Sequence, residues 1–504
     1  MGMVLNTNIP SIQAQRALGE SRKEMEIAME RLSTGSRINS AGDDAAGLAI
    51  VERMNSQIRG LGQATRNAND GIALIKTVEN ALVEVSGMLQ RMRELAVQAS
   101  NDTNTSTERA FADNEVTSLQ KEISRVSLNT RYNGAQVLNG SFAAKSLQVG
   151  TEAGETLDFS IGNVEASKLG AYIVDGLTQS AIAGGSSSDT DYNNGVADAD
   201  VQITSFGTTR TIDVEQYDTA KTIAKKINAV AASTQVVAST ASYAWLYSPT
   251  ANPTVNGVGA VQARLKFIDS TGAATETAAF TLTSNDVSDA IQKINAISSS
   301  TGVHASSTGD YKVLLSEKNG NDIVIINTSA RTDLDVKAVG IDGITADSTE
   351  VSLGATSSTS SVDTAVVRGN LKLSSNNDFT INQQTAAEFF SNGEQSAPLV
   401  NVGTISVLTR IKASDSLAII DGAIETVSSM RGSLGSLQNR LDYTVSNLLK
   451  VTEFTTAARS RIADADFAAE TARLAKAQVL QQAGASMLSQ ANASTDTVLQ
   501  LLRG

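Results

Sequence analysis

No proline interrupts this chain between Pro10 and Pro249, and none follows Pro398. Proline breaks helices by removing a backbone donor and clashing with the preceding turn, so long stretches near both ends can run as uninterrupted helices. The first aromatic residue from the N-terminus is Phe111, which leaves the leading segment without the bulk that builds large cores. Helices at opposite ends of a long chain are expected to meet each other. The middle must then be inserted elsewhere, as an ornament on a rod.

The periodicity supports helices at both ends. Ala14, Leu18, Ser21, Met25, Ala28 and Leu32 follow a 4-3 spacing. That helix is predicted to stop at Ser33-Thr34-Gly35, with Gly35 left-handed after the last turn. A second helix is expected from about Ser40 or Asp43, with Asp43 and Asp44 in its first turn. Gly71, Ile75, Val78, Leu82, Val85, Leu89, Met92 and Ala96 form the cleanest apolar seam. Thr105 and Glu108 read as a capping box for a third helix carrying Ala112, Val116, Leu119, Ile123 and Val126. Asn133-Gly134 and Asn139-Gly140 then signal hairpin turns.

Near the C-terminus, Asp415 is expected to cap a long helix whose seam runs from Leu417 to Leu448, interrupted by Arg431 and Gln438. A last helix places Leu480, Gly484, Met487, Ala491, Ser494, Val498 and Leu501 in register. Between roughly 177 and 401 the pattern becomes alternating strands with Gly, Asn, Ser and Thr turns. A faint repeat lies inside it. Thr222–Ala229 (TIAKKINA) resembles Asp289–Ala296 (DAIQKINA), and Val236 and Ala238 have counterparts in Val303 and Ala305. Each copy reads as a short helix followed by strands, so two related modules are expected.

The resulting fold class is α+β, elongated and multidomain: a discontinuous α-helical coiled-coil core from both termini with an inserted β-rich outer region. The expected boundaries are 1–42 plus 456–504 for a terminal coiled-coil domain, and 43–176 plus 402–455 for an inner helical rod with a β-hairpin. The variable outer region is 177–401.

Composition removes several function classes. A net charge of −13 argues against a nucleic-acid or anionic-membrane surface. The absence of cysteine excludes disulfides and thiolate metal sites, and His304 is the only histidine, which argues against a His-rich zinc site and against a Ser-His-Asp triad anywhere but at His304. Neither a secretory signal peptide nor an apolar run long enough to span a membrane is read. No catalytic residue, metal or cofactor is therefore assigned. Leu18, Met25 and Leu32 are too few large aliphatics to offset the entropy of ordering the first helix. The termini are accordingly expected to be largely disordered in a lone molecule and to fold on polymerisation.

The motifs at both ends carry a resemblance. Asn6-Thr-Asn8, Glu30–Ala41 (ERLSTGSRINSA) and Asp43–Gly47 (DDAAG) resemble the N-terminal signature of bacterial flagellin, covering with their surroundings about the first 175 residues. Ala458–Ile462 (ARSRI), Asp464 to Ala468, Gln478–Gly484 (QVLQQAG) and the closing Leu501-Leu-Arg503 resemble its C-terminal partner over about the last 100. Gly42 and Leu48 depart from the Lys and Gln of many relatives.

The resemblance implies a secreted, non-enzymatic structural subunit that is exported unfolded by the flagellar type III apparatus. It would polymerise with itself into the extracellular filament that drives motility. It also implies an export chaperone, filament cap and hook-junction proteins as partners, and no nucleic acid or membrane insertion. Leu18, Met25, Leu32, Leu480, Met487, Val498 and Leu501 would form the assembly seam. Arg91, Leu95 and Glu115 match residues that Toll-like receptor 5 recognises on many flagellins, on a surface that also serves axial contacts. The alternatives are a hook–filament junction protein of the same superfamily, or a filament subunit whose outer domain also binds glycan or a host surface. Tyr243, Trp245 and Tyr247 are expected on one strand face as a small module core, with carbohydrate binding as the sharper reading.

Overall fold

The computed structural model describes residues 7–184, 193–248, 261–283, 286–308, 310–329, 334–354, 363–384 and 388–503, without the side chains of 261 and 494–503. Nine α-helices are described: α1 (Ile9–Thr34), α2 (Ala45–Ala99), α3 (Ser106–Asn129), α4 (Ala220–Ala229), α5 (Ala231–Thr234), α6 (Ser288–Asn295), α7 (Ser298–Thr301), α8 (Arg410–Ala463) and α9 (Phe467–Arg503). The fold is α+β, with helices from both ends of the chain and a β-rich region inserted between them. The chain divides into two compact units, one of residues 1–76, 144–160 and 435–504, the other of 77–143 and 161–434.

In the first unit, local chemistry sets the limits of α1. The Asn8 side chain accepts from Ser11 N at 3.0 Å, Pro10 sits in the first turn, and Gly35 closes the helix at φ 69°. The Gly35 to Arg37 segment then pairs with the stretch after α8: Arg37 N donates to Ala463 O at 2.6 Å and Ala465 N to Gly35 O at 2.9 Å. Helix α2 begins later than expected. Asp44 accepts from Gly47 N at 2.8 Å and caps it, whereas Asp43 lies outside the helix and closes the turn before it by accepting from the Ser40 and Asn39 amides. The same unit holds a hairpin of Lys145–Gln148 and Thr156–Phe159. It also holds a small cluster of Leu61, Ala64 and Leu448.

In the second unit the α2 seam is buried as its spacing predicts, with Val78, Val85, Leu89, Met92 and Ala96 fully enclosed. Helix α3 carries the expected capping box, Thr105 Oγ1 accepting from Glu108 N and Glu108 Oε2 accepting from Thr105 N at 2.7 Å. Asn133 (φ 48°) and Gly134 (φ 83°) form the tip of a short hairpin. Asn139-Gly140 instead makes an isolated bridge to Asn163. Helix α8 starts at Arg410, before the expected cap: Asp415 is inside the helix and pairs with Lys372 at 2.9 Å. The polar break at Arg431 has a partner, since its Nε donates to Glu79 at 2.8 Å.

The β-rich insertion is organised by one long strand, Val237–Tyr247. Its eleven residues serve Val313–Glu317 on one edge and, in succession, Asn370–Ser375 and Leu334–Val339 on the other. Two apolar cores flank it. One contains Ile223, Ile227, Val201, Ile203, Leu371 and Phe389; the other contains Ile294, Leu246, Phe267, Phe280, Leu315 and Ile325.

The two copies of the sequence repeat have the same local build. A helix (α4 or α6), a short helical turn (α5 or α7) and a left-handed residue (Gln235 or Gly302) lead into a strand. In both, the helix's asparagine is bonded to the backbone of that strand.

The aromatic trio stands on one strand face, but not in either module core. Tyr243 clusters with Leu314 and Val339, with Trp245 and Ile411 of α8 packed against them, while Ala244 and Leu246 point into the core on the opposite face. Lys312 covers the Trp245 ring at 4.2 Å from its centroid.

Candidate assembly surfaces

The first candidate surface is built by the pairing of α1 with α9. The two run antiparallel: Asn8 Nδ2 donates to Ala491 O at 3.1 Å, Ser11 Oγ to Asn492 Oδ1 at 3.0 Å, and Arg31 Nη1 to Glu470 Oε1 at 3.2 Å. On α1 the contact follows the expected register. Ser11, Ser21 and Ala28 are buried, and Ala14, Leu18, Met25 and Leu32 are half-buried between them. Small residues let the backbones come close but bury little apolar area, so this contact is thin.

On α9 the residues turned inward are Glu470, Leu474, Ala477, Gln481, Gly484, Leu488 and Ala491. Gly484 and Ala491 belong both to this register and to the expected one. Leu480 and Met487 lie on the flank, 43% and 65% exposed. The Val498 and Leu501 side chains lie outside the described residues. Two features escaped the sequence reading. Glu470 is only 4% exposed and joins Arg31 to Arg473, the latter at 2.9 Å. Ile9, Ile12, Met29 and Val479 are apolar and exposed on the same two helices. All four lie off the expected seam positions of their helices, which the spacing alone could have shown.

The second candidate surface lies on α2 and α3. Arg91 donates from Nε to Glu115 at 2.7 Å and from Nη1 to Glu94 at 2.9 Å. These bonds, Glu115 first, hold the guanidinium more firmly charged than usual. Arg91 and Glu115 are about half exposed, so the pair stands in solvent. Leu95, four residues on, is 3% exposed and sits beneath it. The three residues are thus brought together, with Leu95 supporting the surface while Arg91 and Glu115 present it. Arg93 on the neighbouring helix face is bonded to Asp421 of α8 at 2.6 Å. Phe111 of α3, noted in the sequence only as its first aromatic, is 70% exposed.

Among the described residues, no group of three or more His, Cys, Asp or Glu side chains could hold a metal, and no helix is long and apolar enough to cross a membrane.

Comparison with known proteins adds three findings. Residues 5–143 match the family described as the bacterial flagellin N-terminal helical region, and residues 417–502 the corresponding C-terminal helical region. The chain is 36% identical to the B-type flagellin of Pseudomonas aeruginosa and 32% identical to flagellin B of Vibrio cholerae, in each case over the full length of both chains. Among solved structures, FliC from Burkholderia pseudomallei aligns with 73% of this chain and 99% of its own at 18% identity and a TM-score of 0.30.

Proposed function

The chain belongs to the bacterial flagellin family and is a subunit of the extracellular flagellar filament, and from that premise we propose how it assembles. Neighbouring copies cover the apolar side chains that the helical ends leave in water. One observation carries this reading. Among the described residues, the large hydrophobics that are more than half exposed sit mostly on α1, α3, α8 and α9. Tyr443 (79%), Phe454 (69%) and Met487 (65%) are examples, whereas the β-rich insertion contributes few, such as Phe206. Water-exposed apolar side chains gathered on the helical ends favour burial against further copies of the same chain. Leu18, Met25 and Leu32 hold α1 to α9, and Leu480, Met487, Val498 and Leu501 meet other subunits.

The division into 1–42 plus 456–504, 43–176 plus 402–455, and 177–401 is proposed as the functional one: cohesion, packing geometry and outer surface. The subunit is exported unfolded through the flagellar type III apparatus, held by an export chaperone and folded under a filament cap above hook-junction proteins. Arg91 and Glu115 form the part of the α2–α3 surface that Toll-like receptor 5 contacts on a free monomer, with Leu95 beneath. The role is structural and without catalysis, consistent with a chain that has one histidine and no cysteine. The junction-protein alternative has less support, since the full-length relatives are flagellins.

The test is seeded polymerisation of the purified full-length chain, followed by light scattering and negative-stain microscopy. Long filaments are expected, and they should vanish when α9 is removed after Ala477. Filaments from the truncated chain, or none from the intact chain after seeding, would overturn the reading.

A further inference from the structure

One sheet face in the second unit is not spent on a core. Trp245 pairs with Leu314, Tyr243 with Ser316, and His304 and Ser306 lie across from Ser316 and Leu314. These side chains share a face because pleated strands alternate, and their sequence neighbours Ala244, Leu246, Ala305 and Leu315 fill the core beneath. Above this floor stand Arg109 of α3, Asp102 of the loop before it, and Thr409 to Ile411 at the start of α8. Floor and walls enclose an open cleft of about 820 Å3. That lies within the roughly 300–1,000 Å3 typical of sites for small organic ligands.

The chemistry of the cleft is specific. In a chain of net charge −13, three fixed cations converge on it: Arg109, Lys318 and Arg410. Lys318 is exposed and makes no ion pair among the described residues. Arg410 spends its Nε on Asp102 at 3.1 Å, a carboxylate whose side chain is 75% exposed. Its planar fork keeps donors in reserve. The remaining lining mixes hydroxyls, among them Ser306, Thr308 and Thr409, with aliphatic side chains, a second carboxylate (Asp310) and the half-buried indole of Trp245. Cations select an anion, and hydroxyls suit a polyhydroxylated ring.

We propose that this cleft binds an acidic saccharide, its carboxylate held by Lys318 and Arg410 and its ring seated among the hydroxyls of Ser306, Thr308 and Thr409, close enough to Trp245 to alter its emission. A nucleic acid is disfavoured because the chain as a whole is acidic.

The experiment uses the full-length monomer. It is titrated with 3′-sialyllactose, with a glucuronate-ended disaccharide, and with neutral lactose, and binding is followed by saturation-transfer NMR and by the emission of Trp245, the only tryptophan of the chain. Saturable binding of either acidic sugar, weakened about tenfold or more by Lys318→Ala and retained by Lys318→Arg, is expected. The relative affinities of the two acidic probes tell a sialyl from a uronyl source. The proposal is overturned if neither saturates below about 10 mM, if lactose binds equally, if inorganic phosphate displaces the sugar at equal concentration, or if Lys318→Ala and Arg410→Ala both bind like the parent. Lys318 is exposed, so its variants keep the test meaningful should Arg410→Ala disturb α8.

Discussion

Leu18 lies so close to Gly484 that a Cβ placed on the glycine would come within 3.0 Å of the leucine's Cγ and Cδ2. Small seam residues thus set the approach of α1 to α9. Gly484→Ala gains about 1 kcal/mol of helix propensity, which offsets the tight contact, so filaments should still form. Gly484→Ile adds branched bulk that no shift of Leu18 can absorb, and polymerisation should be lost. Sedimentation of filaments after seeding checks both; filaments from the isoleucine variant would contradict the close pairing.

Asn228 and Asn295 make the same latch in the two repeats. Asn228 accepts from Ala238 N at 2.8 Å and donates to Ala238 O at 2.9 Å, and Asn295 does the same with Ala305 at the same distances. In each copy the latch satisfies backbone groups on a strand edge that no other strand among the described residues reaches. Either Asn→Ala substitution strands a donor and an acceptor that are partly buried, at about 1–3 kcal/mol each. Urea unfolding followed by Trp245 emission should show a lower midpoint for Asn228→Ala and for Asn295→Ala. Unchanged midpoints for both would remove the latch as a source of stability.

Asp322 gives the β-rich insertion a pH dependence of unusual sign. Burial pushes its carboxyl up to about 6 from an ordinary 3.8, against the opposing bonds from Asn194 at 2.9 Å and Gly369 N at 3.3 Å. The folded chain therefore holds this proton more tightly than the unfolded chain does. The contribution is fully present below about pH 4 and is lost as pH rises through 6, to the order of 3 kcal/mol. Stability measured between pH 4 and 7 should decline less steeply in Asp322→Asn than in the parent. Equal slopes would show that the group is not buried as described.

Arg91 and Glu115 are about half exposed. Exposed ion pairs contribute little to folding, so Arg91→Ala should leave the melting temperature nearly unchanged. Signalling by the monomer through Toll-like receptor 5 should nevertheless fall at least tenfold, because the forked donor is lost from the surface. Full signalling by the variant would exclude Arg91 as a receptor contact.

The sequence by itself determined what depends on short-range physics. The capping box at Thr105 and Glu108, the left-handed Gly35, the Asn133-Gly134 turn and the buried stripe from Ile75 to Ala96 are local or periodic, and each can be read from spacing alone. The repeat was legible too, because identical local builds leave similar residue strings.

Only the tertiary structure decided where a choice turned on distant partners. Asp415 looks like a helix cap, yet Lys372 claims it inside α8. Two α9 registers share Gly484 and Ala491, and only packing on α1 chooses between Leu488 and Met487 as the inward side chain. Tyr243 and Trp245 alternate as strand residues should. Which face of their sheet holds the core, and which opens onto Arg410 and Lys318, was settled by segments far away in the sequence. Periodicity fixes which side chains share a face, but the partner that face meets is a long-range property that no local pattern encodes.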